Sequence, residues 1–403
     1  MNFFKIGENV ISPSKYSNKN EKGEILEIQK GIYAYVRFNN FDKRLDEWVP
    51  LTQLSHDTDA SKNPIINFPQ KTEMKKNLNN AANTSDSNQS KPIRNIDSIR
   101  IGDYEIDSWY FSPYPSEFCK SRHLFICEYC FKYFSSPNMF KCHFHAEKDC
   151  RPKGFEIYRK GSISIFEISS ATDRICCQSL FLLCKLFLDE SVLSYMIDNV
   201  SFLILCECDK NGAHPVGFLS RPTNWDGNII LYEIVILPPY QRKGYSQILL
   251  SCVYEMAHRS FVIGGIGRSL TDLGKPALEK FFANKIVGLL RNKLDEIKTI
   301  KDITLYTSIC KNDVSETFKN LKIMSSDDDD DDDNDNDSED DETLPIEEIN
   351  IYLKKNPKIE KEIPFDKDFL MWFTEDLEEE EIIQDNPKEY DSDSDQNDDP
   401  PPQ

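Results

Sequence analysis

The chain has 403 residues, 39% of them apolar, enough for two or three domains with a real core. No apolar run reaches the ~18 residues of a membrane span. The N-terminus MNFFKIGENVISPSKY lacks a signal-peptide pattern, so a soluble intracellular protein is expected, with its 12 cysteines as thiols or metal ligands rather than a disulfide framework. The net charge of −21 is uneven: residues 325–403 hold 32 acidic and 6 basic side chains, whereas 1–324 hold 37 and 42. A blocky acidic tail is usually a solvated segment suited to a basic partner. It argues against contact between that tail and nucleic acid.

In chain order, residues 1–55 alternate apolar and polar with Gly and Asn turns, which predicts a small β-barrel. Residues 56–95 are rich in Asn, Ser, Lys and Asp and read as a disordered linker. A Cys/His cluster follows within 125–150. Ser162–Ile168 alternates like a strand, and Ile175–Leu188 has helical spacing. The run SFLILCECDKNGAHPVGFLS reads as two strands around an Asp-Lys-Asn-Gly turn. A helix is expected over Gln247–His258, and a helical pattern from beyond Leu289 to Met324. Residues 325–343 form an acidic insertion, 344–373 read as an ordered remnant, and 374–403 as an acidic tail.

Two motifs carry chemistry. Cys127-x2-Cys130-x12-His143 has the spacing of a tetrahedral zinc knuckle, with soft thiolates close together and then a return of the chain. The competing reading is unrelated buried Cys and His residues. The second motif is LYEIVILPPYQRKGYSQILL, residues 231–250. An apolar run stops at Pro-Pro, and a basic loop with one glycine leads into a helix. Glycine permits close backbone approach, a helix N-terminus favours an anion, and Arg242 and Lys243 add positive charge. An ordinary strand-to-helix turn is the plainer reading of these residues alone.

Several strings in one order change that balance. FDKRLDEW, WYFSPYP, FICEYCFKYF, EIYRKGSISIFEI, CQSLFLLCKLFLD, VGFLSR, LPPYQRKGY, TDLG and ITLYTSICKNDVSETFKNLKI resemble the MYST family of histone acetyltransferases. The resemblance covers most of the chain. It implies an α+β protein: a chromo barrel (tudor knot) over 1–55, then a GNAT-like mixed α/β core with a zinc finger and a C-terminal helical segment over 96–324. It further implies acetyl-coenzyme A, histone lysines and tails as substrate, a multiprotein chromatin complex, nucleic-acid contact by the barrel, the nucleus, and no membrane.

On this resemblance Ile234, Val235 and Ile236 face the acetyl and pantetheine end of the coenzyme. Gln241, Arg242, Lys243, Gly244, Tyr245, Ser246 and Gln247 cradle its pyrophosphate, and Thr271 adds a contact. Ser246 replaces the family's last loop glycine; it fits only if its backbone is helical. The family's fourth zinc ligand falls at Glu147. Cys150 is preferred, because a loop absorbs three residues more easily than zinc exchanges sulfur for a lone carboxylate; Cys142 and His145 are alternatives. A full protein ligand set makes the zinc structural.

Three functional positions of the family differ here. Its catalytic glutamate falls at Gly267, its active-site cysteine at Glu233 and its acetylated lysine at Ser191. One expectation is that Glu233, an isolated carboxylate in the apolar run LYEIVIL, serves as a relocated base. The other is a catalytically silent module that binds chromatin. The barrel aromatics Tyr33, Tyr35, Phe38, Phe41 and Trp48 suit either a methyl-lysine cage or barrel core, with core the preferred reading for most.

Overall fold

The computed structural model describes residues 4–17, 19–57, 93–146, 149–189, 197–225, 228–266, 273–324, 343–356 and 365–372. Most of the expected linker, the acidic insertion and the acidic tail lie outside the described residues. Alternation in the N-terminal segment produces β1 (Asn9–Pro13), β2 (Asn20–Gln29), β3 (Tyr33–Phe38), β4 (Glu47–Pro50) and β5 (Ser55–His56). They form one antiparallel sheet in the order β4-β3-β2-β1-β5. Val10, Ile25, Ala34, Val36, Phe38 and Val49 give it a small core of its own.

A second sheet, ordered β7-β6-β8-β9, follows. Its strands are β6 (Ser98–Ile101), β7 (Tyr104–Asp107), β8 (His123–Ile126) and β9 (Tyr133–Phe134), with β6 and β8 parallel. Helices α1 (Ser116–Cys119) and α2 (Pro137–Ala146) flank β8 and β9 in sequence.

The central sheet is antiparallel, in the order β10-β11-β12-β13-β15. Its strands are β10 (Phe155–Lys160), β11 (Ile163–Ser169), β12 (Val200–Asp209), β13 (Gly212–Pro222) and β15 (Glu233–Ile236), while β14 (Ile229–Leu231) pairs in parallel with β16 (Gly265–Ile266). Both faces of the sheet are buried. On β12, Phe202 and Ile204 face the core that contains α3 (Arg174–Lys185), whereas Leu203 and Leu205 face the core that contains α4 (Tyr245–Arg259). A strand buried on both sides reads as an unbroken apolar run rather than an alternating one, which is the pattern of SFLILC.

Helices α5 (Gly274–Lys293), α6 (Ile300–Thr307) and α7 (Lys311–Asn320) complete the α4 side, and α8 (Ile346–Lys355) follows the acidic insertion. The sequence pattern places helix only beyond Leu289, but α5 begins at Gly274. Pro276 sits in its first turn, where a missing N–H costs nothing. Thr299 and Asp302 form a capping box at the start of α6, and Ser308, at φ 61°, ends it. Residues 365–372 cover the outer edge of β10. The Met371 N–H donates to Ile157 O at 2.7 Å, and Arg259 donates to the carbonyls of Lys367, Leu370 and Trp372. Among the described residues no helix is long and apolar enough to cross a membrane.

Candidate functional site

The cleft is built where β15 leaves the sheet. β13 and β15 pair from Ser220–Glu233 to Gly217–Ile236. A Cβ on Gly217 would lie 2.6 Å from the Val235 carbonyl, so glycine is what lets the strands approach here. Beyond Ile236, a 3-10 turn at Pro238–Tyr240 redirects the chain. Gly244 then adopts φ 91° as the cap of α4. Nothing lies within 4 Å of where its Cβ would be, so the backbone conformation demands the glycine, not crowding. Ser246 lies in the first turn of α4 with a helical backbone, which meets the condition for a serine there.

A cavity of about 480 Å³ opens against this loop. Ile234, Val235 and Ile236 line it, together with Gln241, Arg242, Gly244, Tyr245 and Ser246. Gly274, Pro276 and Ala277 line it too, so the first turn of α5 faces the same space as the first turn of α4. The first turns of two helices and the backbone around Arg242 and Gly244 meet at one cavity. That arrangement fits a phosphate-bearing ligand. The far wall is Trp109 and Phe187, edge to face at 5.4 Å. No role for either was read from the sequence, although WYFSPYP and CKLFLD contain them; the two segments meet only in the fold.

Two expected loop contacts are placed elsewhere. The Gln247 amide donates to Ala277 O at 2.8 Å and ties α4 to α5 instead of lining the cavity. Lys243 also lies off the lining, over the Tyr240 ring at 5.1 Å. Gln241 lines the cavity while its amide donates to Ile236 O at 2.9 Å, so that carbonyl is already engaged. Gly267, Thr271 and Ser191 lie outside the described residues.

Glu233 is 5% exposed and does not itself line the cavity. It shares a face of β15 with Val235, which does, since strand residues two apart point the same way. Its charge reaches the end of α3: burial first, and Glu233 second, push the Cys184 thiol up.

The metal centre is separate. One ligand atom each from Cys127, Cys130 and His143 lie within 4.8 Å of one another. Cys127 and Cys130 close the turn after β8, and His143 comes from α2. With protein groups alone, the neighbouring Cys130 thiol and then burial push the Cys127 thiol up. A divalent cation reverses that logic and holds both as thiolates, so the donor set fits zinc. Cys150 does not join these three. It is exposed, and its carbonyl accepts the Ala213 N–H at 2.9 Å beside the β12–β13 turn. Cys142 and His145 are also exposed, and Glu147 lies outside the described residues. His214, for which the sequence suggests no partner, links the knuckle to the central sheet, 3.0 Å from Glu128 and 3.1 Å from Asp209. Burial works against its charge, but the two carboxylates win and raise its pKa.

A cavity at the end of β15, the edge strand of the central sheet, with two helix first turns on it, suits a phosphate-bearing coenzyme, and a Cys/Cys/His knuckle that fits zinc stands apart from it. Comparison with known proteins agrees. The MOZ/SAS family profile matches residues 151–361, the MYST family zinc finger domain 93–150, and a domain described as an RNA binding activity-knot of a chromodomain 4–56. The chain is 38% identical to the histone acetyltransferase MOF of Drosophila melanogaster over 260 residues, which cover 64% of this chain and 31% of that protein. It is 32% identical to a MYST-like histone acetyltransferase of Oryza sativa over 307 residues, covering 72% and 68%. Against the histone acetyltransferase mst1 of Schizosaccharomyces pombe it is 32% identical over 376 residues, covering 75% and 81%. The chain belongs to the MYST family of acetyltransferases. It spans less than a third of the fly relative and about two thirds of the rice one.

Proposed function

We propose that the chain is a nuclear histone lysine acetyltransferase that transfers acetyl directly from acetyl-coenzyme A to a lysine amine. The observation that carries this is the cavity where the first turns of α4 and α5 meet beside β15. A lysine has an ordinary pKa near ~10.4, so about one amine in a thousand is neutral near pH 7.4. Only the neutral amine attacks a thioester, so a positioned carboxylate must take a proton. Glu233 is our candidate for that work; its burial, on the strand whose next three residues line the cavity, supports the choice. The new N–C bond replaces the C–S bond, and the departing thiolate takes up a proton. With Glu233 at the family's cysteine position, no acyl-cysteine can form there.

Arg242 and the first-turn amides of α4 and α5 would hold the phosphates. Cys127, Cys130 and His143 would hold the zinc, with a fourth ligand from 142–150. The acidic segments would attract basic histone tails, and the barrel is the element for nucleic-acid contact within a larger chromatin complex. The test is acetyl transfer to histone peptides by the purified full chain, with coenzyme A binding measured alongside. Transfer with binding supports the reading; binding without transfer at any pH refutes it.

A further inference from the structure

Of the barrel aromatics Tyr33 is exposed, but Tyr35 and Phe38 are buried and Trp48 is half-buried. Tyr35 is 4% exposed. The Arg94 guanidinium lies over its ring at 6.0 Å, and that of Arg122 lies over the Trp48 ring at 5.5 Å. Both arginines belong to the catalytic half. Arg122 is fixed there by two hydrogen bonds to Asp97, at 2.7 and 2.8 Å. The exchange runs the other way too. From the barrel, Lys43 lies over the Tyr110 ring at 5.6 Å and pairs with Asp189, and Arg44 lies over the Trp109 ring at 5.3 Å. Four such contacts, two in each direction, cross one seam between the barrel and the catalytic half.

We infer that the Tyr35–Trp48 face of the barrel is a docking surface for this chain's own catalytic half, not a methyl-lysine reader, and that the docked barrel positions the wall of the coenzyme cavity. The route is short. Arg44 sits on Trp109, the Trp109 and Tyr110 N–H groups both donate to Leu186 O at 2.9 and 3.1 Å, and Trp109 packs edge to face on Phe187. Trp109 and Phe187 line the cavity. Arg44 is thus a positioning residue, acting through a ring that touches the ligand space. A further cation in the seam is disfavoured, because Arg37, Lys43, Arg94 and Lys185 already line it against Asp46 and Asp189.

The inference rests on the coenzyme reading of the cavity in its affinity arm only, so the test has two arms on the full chain. In Arg44→Ala, hydrogen exchange at the Trp109 and Tyr110 amides should rise, a readout that needs no coenzyme. Coenzyme A affinity, measured with free coenzyme A, should fall by about 2- to 5-fold, the worth of one such contact. Arg44→Lys, which keeps the cation, should restore much of both. Unchanged exchange overturns the docking. Raised exchange with unchanged affinity, in a parent that binds coenzyme A, overturns the positioning. A trimethyl-lysine peptide bound by the parent and lost in Trp48→Ala shows a reader and overturns the surface assignment.

Discussion

Gly244 and Ser246 sit two residues apart and obey different rules. Gly244 needs a positive φ, whereas Ser246 is already helical. Gly244→Asp strains the loop and puts a carboxylate where phosphate would lie. Coenzyme A affinity should fall at least tenfold, or ~1.4 kcal/mol, by titration calorimetry; unchanged affinity would remove the loop from the site. Asp46 offers a pH test at the seam. Burial raises its carboxyl to about 6, against the pull of Arg37, whose guanidinium is 3.1 Å away. The folded value exceeds the ordinary 3.8, so between the two the folded state binds more protons than the unfolded one. Stability from this group is fullest below about pH 4 and declines as pH rises through about 6. Asp46→Asn should remove that slope, seen as a smaller difference in Tm between acidic and neutral pH. Parallel curves for parent and variant would show that Asp46 does not titrate as described.

At the scale of elements, the strands were legible because burial leaves a direct trace in the sequence. SFLILC is a strand with two buried faces, and the glycine-containing loop announces the start of α4. Other features left no such trace. The start of α5 hides behind Gly274 and Pro276, which look like loop residues when the chain is read without its fold. Trp109 and Phe187 become a cavity wall only when two distant segments meet. Gln247 looked like part of the cradle, yet its amide faces Ala277 across two helices. Spacing brought Cys127, Cys130 and His143 together, because a tight knuckle and one helix suffice to do so. It did not settle the fourth ligand, since the backbone of Cys150 packs at the β12–β13 turn, where the Ala213 N–H engages its carbonyl. If zinc ties β8 to α2, Cys127→Ser should lower metal content from one zinc per chain and destabilise the catalytic half, because ligation energy is folding energy. A fully folded, zinc-free variant of unchanged Tm would count against a structural metal.

Across the whole molecule, charge is divided by region. Residues 325–403 carry nearly half of all the acidic side chains, and the remainder of the chain is mildly basic. Exposed charges are screened beyond ~8 Å at physiological salt. Removing residues 374–403 should therefore weaken histone association at low salt, with little effect at high salt or on turnover of short peptides. Equal low-salt association in pull-downs with and without the segment would assign histone attraction elsewhere. The same whole-molecule view bears on catalysis. On the proposed reading, in which the resemblance puts the family's glutamate and cysteine positions at Gly267 and Glu233, the buried carboxylate on β15 would have to serve as the base. The most direct measurement is the pH–rate profile of acetyl transfer by the full chain and by Glu233→Gln, with coenzyme A affinity determined for both. The expected result is equal affinity, turnover lower by about 10²–10⁴-fold in the variant, and partial recovery at high pH, where more substrate amine is neutral. Equal turnover in parent and variant would contradict the assignment of Glu233 as the base.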